Sequence, residues 1–172
     1  MNTMLSDFRH EFLRHKMLAD RAIAALDDAE FFRRPGSEVN PTALIVKHLA
    51  GNMVSRWTDF LTTDGEKPSR DRDGEFLLTQ DDSRETLLEK WERAWAVLFA
   101  TLTDLRDADL EKSVTIRAEE QTARQALLRG MTHVAYHTGQ LLYLARMFRP
   151  QSPWLTIPPG KSRGYPGNYR QK

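Results

Sequence analysis

Four long segments of this chain repeat apolar residues every three or four positions, and connections rich in glycine, proline and charged residues separate them. This spacing places the apolar side chains on one face of an α-helix, and that face must be buried against other helices. The pattern predicts helices near residues 2–26, 41–62, 83–104 and 123–148. We therefore expect an all-α fold, an antiparallel four-helix bundle.

Local signals refine the ends of these helices. Thr122 and Gln125 have the spacing of a capping box for the fourth helix, and Asp82 and Glu85 have it for the third. Residues 113–121 alternate in polarity and include β-branched side chains, so a short β-hairpin is expected before the last helix.

The whole chain is predicted to form a single domain over residues 1–172, because this length can bury a hydrophobic core of its own. The tail at residues 150–172 contains too much proline and glycine for regular structure, and we expect it to be irregular.

Composition limits the partners and the chemistry of the chain. Its 25 basic and 24 acidic residues give a net charge of +1, so no excess positive field favours nucleic acid. Because cysteine is absent, a transition-metal site would be confined to histidine and carboxylate ligands. No run of 18 apolar residues and no signal-peptide pattern occurs, so we expect a soluble, cytoplasmic protein with no membrane partner.

Three of the five histidines lie in the second and fourth predicted helices. His133 and His137 are four residues apart in the fourth predicted helix, which places both imidazoles on one face, about 6 Å apart along the axis. His48 lies in the second. These residues predict a divalent metal bound by three nitrogens at roughly 2.0–2.2 Å, with water or a carboxylate completing the shell. The alternative is that His133 and His137 are unrelated surface or core histidines that bind no common ion.

Polar neighbours on the same helix faces are the candidate catalytic residues. Asn52 and Arg56 repeat the helical spacing from His48, and Gln140 follows His137 on its face. We predict that Asn52 and Gln140 orient a cofactor or a leaving group. We also predict that Arg56 binds the carboxylates of the cofactor.

A fourth protein ligand would instead favour a structural or ligand-sensing metal, and Glu66 and Glu120 are the carboxylates considered for that position.

Two irregular segments are expected to border the metal pocket. They are the polar loop "DGEKPSRDRDGEF" after the second helix and the C-terminal tail. Together with Arg56, the loop residues Arg70 and Arg72 and the tail residue Lys161 would offer positive charge to an anionic substrate. A surface tail without contacts to the pocket is the alternative.

Several blocks of the chain resemble one known superfamily. The segment "VKHLAGN" in helix two, the H-x-x-x-H-x-G-Q run in helix four and the order of four helices are similar to the DinB/YfiT-like superfamily of metal-dependent enzymes. The blocks "KHLAGNMVSRWTDFLTTDGEKP", "TIRAEEQT" and "TIPPGKS" resemble one uncharacterised DinB-like subfamily over nearly the whole chain.

The resemblance implies a four-helix bundle in which three histidines bind a divalent metal, commonly nickel or zinc. It assigns His48, His133 and His137 as the ligands. Many members carry an arginine after the second histidine of the helix-four pair, whereas this chain has Thr138. Relatives include thiol S-transferases that use bacillithiol or mycothiol, a maleylpyruvate isomerase and hydrolase-like proteins.

On this basis we expect a metal-dependent enzyme that transfers a small-molecule thiol to an electrophilic substrate. Because the chain has no cysteine, the thiol would be an external low-molecular-weight cofactor. A metal-dependent hydrolase and a non-catalytic metal-binding or small-ligand-binding module are the alternatives.

A homodimer is expected mainly from the resemblance. Met53, Trp57 and Phe60 add a second apolar side to helix two that one bundle core would not consume.

Overall fold

The computed structural model describes residues 3–164 and is mostly helical. Its α-helices and strands in this range are α1 (Met4–Ala24), α2 (Asp28–Phe32), α3 (Thr42–Trp57), α4 (Arg84–Asp104), β1 (Ser113–Ile116), β2 (Glu119–Thr122) and α5 (Ala123–Phe148). Within these residues, no helix has the length and apolarity required to cross a membrane.

All four predicted helices are present, but the second ends five residues early. Thr58 leaves the helical conformation, and its hydroxyl donates a hydrogen bond of 2.7 Å to the carbonyl of Val54. Asp59 then adopts a left-handed conformation with φ of 49°. The resulting turn returns Phe60 to the core, so burial of this side chain takes the place of a longer helix.

The predicted capping box of α5 is confirmed, since Thr122 and Gln125 each accept a hydrogen bond from the other's backbone N–H. The cap of α4 was predicted one residue too early. Ser83 is the N-cap, and it pairs with Thr86.

The helices pack as two closely associated pairs that also contact each other. α3 packs mainly against α4, and α1 packs mainly against α5. Contact between α3 and α5 is close at Gly130, where an added Cβ would overlap the indole ring of Trp57. The glycine therefore allows α3 and α5, the two helices that carry the candidate ligands, to approach each other. The antiparallel bundle itself stays a prediction.

The apolar side of α3 that was expected to form a dimer interface lies inside the chain. Met53, Trp57 and Phe60 are all buried, and Trp57 contacts the rings of Phe12 and Phe60. The core of one chain consumes these side chains, so this residue-based reason for a dimer was wrong. The dimer itself remains untested.

The predicted β-hairpin is present, with β1 and β2 antiparallel. Its turn contains Arg117 and Ala118, both with positive φ, and the Asp64 carboxylate accepts hydrogen bonds from both of their backbone amides. Gly65 also donates its N–H to the carbonyl of Thr115 at 2.8 Å. These contacts attach the start of the loop after α3 to the hairpin.

The tail is irregular over its described part, residues 150–164, as predicted. It folds against the end of α5, where the Arg146 guanidinium donates to the carbonyls of Pro150, Ser152 and Pro153 and lies 4.2 Å from the centre of the Trp154 ring. The rest of the predicted tail, residues 165–172, lies outside the described residues.

Candidate metal centre

The structure brings the three predicted metal ligands together. His48 comes from α3, whereas His133 and His137 come from successive turns of α5, and one nitrogen of each lies within 4.8 Å of the other two. The Nε2 atoms of His48 and His133 are 3.1 Å apart. Two nitrogens bound to one tetrahedral ion at about 2.1 Å would be roughly 3.4 Å apart, so the observed spacing is close to that of a shared ion.

Hydrogen bonds at Nδ1 determine which nitrogen of two histidines faces the centre. Nδ1 of His48 lies 2.8 Å from Oε2 of Glu75, and Nδ1 of His137 lies 2.7 Å from Oε1 of Gln140. An ionised carboxylate only accepts, so Nδ1 of His48 carries a proton, and in the neutral form of the ring the lone pair lies on Nε2. Metal-binding histidines are commonly oriented by such acceptors.

His133 shows that the cluster has an unmet polar requirement. Its Nδ1 is buried and has no hydrogen-bond partner. Its Nε2 faces the lone pair on Nε2 of His48, and two lone pairs at 3.1 Å repel unless a proton or a cation lies between them. A shared cation would satisfy the two Nε2 atoms as a proton between them does, and Nδ1 of His133 stays without a partner among the described residues in either case.

The protonation states also suit a metal. Burial, together with the nearby His137 and His48, lowers the pKa of His133 to about 3. Burial likewise lowers the pKa of His137 to about 4. Both imidazoles are therefore neutral at pH 7, which is the form that binds a metal ion. In donor set, orientation and charge, the residues present fit a divalent transition metal.

Glu75 is the functional residue that the sequence analysis missed. Burial raises its pKa, but hydrogen bonds from His48 and Arg70 lower it more, so its pKa lies below the ordinary value. The Arg70 guanidinium donates two hydrogen bonds of 2.7 Å to this carboxylate, from Nε to Oε1 and from Nη2 to Oε2. Phe76 stacks on the His48 ring at 4.6 Å. The "GEF" end of the polar loop therefore holds His48 in place.

The two carboxylates proposed from sequence as a fourth ligand have other positions. Glu66 accepts a hydrogen bond of 2.9 Å from Arg70 and lines the pocket beside the histidines. Glu120 is exposed on β2. In the part of the chain that the structure describes, the metal-ligating group around these histidines contains no carboxylate.

A pocket of about 480 Å³ opens beside His48 and His133. Residues from α3, the loop, the hairpin and α5 line it, namely Asn52, Arg56, Glu66, Arg70, Arg72, Ile116, Arg117, Arg129, Thr132 and Tyr136. This volume suits a small organic molecule.

Comparison with known proteins places the chain in a family. The family model described as "Protein of unknown function (DUF1572)" matches residues 1–161. The chain belongs to the DUF1572 family. No curated protein and no solved structure matches it.

In this DUF1572 protein, the candidate catalytic residues occupy two kinds of position. Asn52 and Arg56 are buried and line the pocket. Gln140 does not line the pocket. Its side-chain oxygen contacts Nδ1 of His137, a candidate metal ligand, on the side of the ring away from the centre. The loop borders the pocket as predicted, whereas Lys161 is exposed and no residue of the described tail, 150–164, contributes to the lining.

Proposed function

We propose that this DUF1572 protein is a metal-dependent enzyme of the DinB/YfiT-like superfamily, built as a four-helix bundle around one zinc or nickel ion. His48, His133 and His137 would hold the ion. The observation that carries the proposal is the convergence of three imidazoles from two helices beside a pocket. Glu75 and Gln140 support it, because they hold the outward nitrogens of two of these rings.

A catalytic ion is proposed rather than a structural one. Structural zinc sites are closed by four protein ligands, whereas catalytic sites keep three and leave a position for water or substrate. The described residues supply three histidines, and the pocket lies beside two of them. When bound, the ion would lower the pKa of a coordinated thiol or water toward neutrality.

Our first choice of reaction is transfer of a small-molecule thiol to an electrophile. The chain has no cysteine, so the sulfur must come from an external thiol that enters the pocket. Asn52 would orient this thiol or the leaving group with its amide, and Arg56 would bind an acid group of the ligand. Gln140 would act as a positioning residue through His137.

Hydrolysis is the second candidate, and Glu66 is the observation that favours it. Hydrolysis requires a general base near the attacking water, and Glu66 is a carboxylate that lines the pocket. Burial raises its pKa, but Arg117 and Arg70 lower it more, so the group is ionised at neutral pH and is a weaker base than an unpaired carboxylate.

Elemental analysis of protein purified without a histidine tag or chelator tests the metal assignment. We expect about one ion per chain, and a His133→Ala, His137→Ala double variant should lose it. His15→Ala is the matched control, because His15 is a partly buried histidine on α1, outside the group of ligands. Full occupancy in the double variant would contradict the proposal.

A panel of thiols and electrophiles, followed by mass spectrometry, distinguishes the reactions. Conjugates that form only with the metal-loaded protein support transfer. Turnover of esters or amides that requires His48, with no response of the metal spectrum to any thiol, would replace transfer with hydrolysis.

We further propose a cytoplasmic homodimer, on the resemblance to the superfamily. Sedimentation of a species at twice 19.9 kDa would support the dimer. A single species at 19.9 kDa at micromolar concentration would exclude it.

A further inference from the structure

We infer that the pocket recognises a small molecule through a carboxylate or phosphate group, and that Arg56 binds this anion. The inference deepens the proposed function and rests on it for the position of the reacting atom. It names the chemical class of the ligand and the residue that selects it.

Arg56 is a buried cation that forms no ion pair within residues 3–164. Only 7% of the residue is exposed, and its Nε and Nη1 atoms are buried without a hydrogen-bond acceptor. An uncompensated buried charge is costly, and buried charges in proteins are normally paired. Among the described residues, no carboxylate forms an ion pair with Arg56, although its side chain lines the pocket.

The charge of Arg56 persists at neutral pH. Burial lowers its pKa most, the positive charges of Arg129 and Arg70 lower it as well, and Glu66 raises it; together they bring the pKa to about 10. This value leaves the guanidinium protonated at pH 7. The pocket therefore contains a positive charge whose Nε and Nη1 donors have no acceptor among residues 3–164.

The other pocket arginines differ from Arg56 because they have carboxylate partners. Arg70 binds Glu75 and Glu66, and Arg117 also reaches Glu66. The remaining pairs are Arg129 with Glu119 and Arg72 with Asp73.

The lining of the pocket nevertheless contains more positive than negative side chains. Five arginines and one carboxylate, Glu66, line it, and the other three carboxylates that pair with these arginines lie outside the lining. An excess of positive charge raises the local concentration of anionic ligands.

A guanidinium matches a carboxylate or phosphate because its parallel N–H groups bind two oxygens at once. On α3, His48, Asn52 and Arg56 follow one another at four-residue steps, which correspond to about 6 Å each along the axis. A ligand held by Arg56 would thus carry its acid group away from the reacting atom near His48, with Asn52 between them.

The test compares Arg56→Met with Arg124→Met. Arg124 also lies on a long helix, and it pairs with Glu111 outside the pocket. Calorimetry would measure binding of inorganic phosphate, succinate and the neutral analogue succinamide. Metal-loaded and chelator-treated protein are compared, because an anion bound only by the ion is lost on chelation whereas one bound by Arg56 is retained.

We expect the wild type to bind phosphate or succinate but not succinamide. Arg56→Met should weaken this binding at least about tenfold, because a hydrogen-bonded charge pair is lost. Arg124→Met should change it by less than about twofold. Without ligand, Arg56→Met should unfold at the same temperature as the wild type or higher, because an unpaired buried charge is removed. Preference for phosphate or for succinate assigns the acid group.

Unchanged anion binding in Arg56→Met, or no anion binding by the wild type, would overturn the inference. If Arg56→Met folds poorly, Arg56→Lys keeps the charge without the planar fork, and it must bind the anion more weakly at full metal content. A different result would refute the proposed function without refuting the inference. A wild type that contains no metal but binds anions through Arg56 would retain the inference and refute the metal enzyme.

Discussion

At the scale of single residues, the centre depends on a position that has no side chain. Gly51 lies three residues after His48 on α3, and an added Cβ would overlap the carboxylate of Glu75. That carboxylate accepts the hydrogen bond from Nδ1 of His48 and so sets the orientation of the ring. Glycine at position 51 therefore leaves room for the Glu75 carboxylate beside His48, although glycine weakens the helix.

Gly51→Ala should weaken metal binding by about 10- to 100-fold, because it displaces the group that orients His48. Alanine has a higher helix propensity than glycine by about 1 kcal/mol, so loss of α3 would not be the cause. Competition with a chromophoric chelator measures the affinity, and circular dichroism monitors the helices.

Gly139→Ala is the matched control, since a Cβ there meets nothing within 4 Å on α5. We expect it to leave metal affinity unchanged and to stabilise the fold by up to about 1 kcal/mol. Equal metal affinities for the two variants would refute the role assigned to Gly51.

At the scale of elements, Asp64 connects the loop that carries Glu75 to the hairpin. Backbone N–H groups of Ala118, Glu66 and Arg117 donate to its carboxylate and lower its pKa to about 2. Because the carboxylate is bound only in the folded state, its ionised form stabilises folding above its ordinary pKa of 3.8. This contribution is lost as the pH falls from about 4 toward 2.

Asp64→Asn should therefore be less stable than the wild type at pH 6, by up to about 1 kcal/mol because solvent screens a charge near the surface. The difference should shrink below pH 4, where the carboxyl of the unfolded wild type begins to be protonated, and should be lost near pH 2, where that of the folded protein is protonated as well. Urea unfolding at a series of pH values measures it. Asp81→Asn, at an exposed aspartate of the turn before α4, is the control. A difference that does not vary with pH would contradict this account.

At the scale of the whole molecule, the three candidate ligands belong to helices from different packed pairs. α3 packs mainly on α4, and α5 packs mainly on α1, so an ion held by His48, His133 and His137 would link the two pairs. A ligand that binds only the folded state stabilises it according to its concentration and affinity.

Removal of the metal should accordingly lower the unfolding temperature. At a free-ion concentration 100 times the dissociation constant, the expected stabilisation is about 2.7 kcal/mol. Calorimetry of metal-loaded and chelator-treated protein measures it, and the His133→Ala, His137→Ala variant should show no such dependence. An unfolding temperature that does not respond to the ion in the wild type would contradict the proposed link.

The amino-acid sequence alone determined the long helices, the hairpin and the three candidate ligands. These features depend on local spacing, because helical periodicity and capping pairs operate over a few residues. His133 and His137 share a helix face for the same reason.

Only the tertiary structure decided which groups surround the histidines. Glu75 reaches His48 from a loop 27 residues away, Trp57 and Phe60 are consumed by the core of one chain, and Arg56 is buried without a carboxylate. Each of these outcomes depends on contacts between segments that are distant in sequence. No local pattern specifies such contacts, because burial and charge pairing are set by how the whole chain packs.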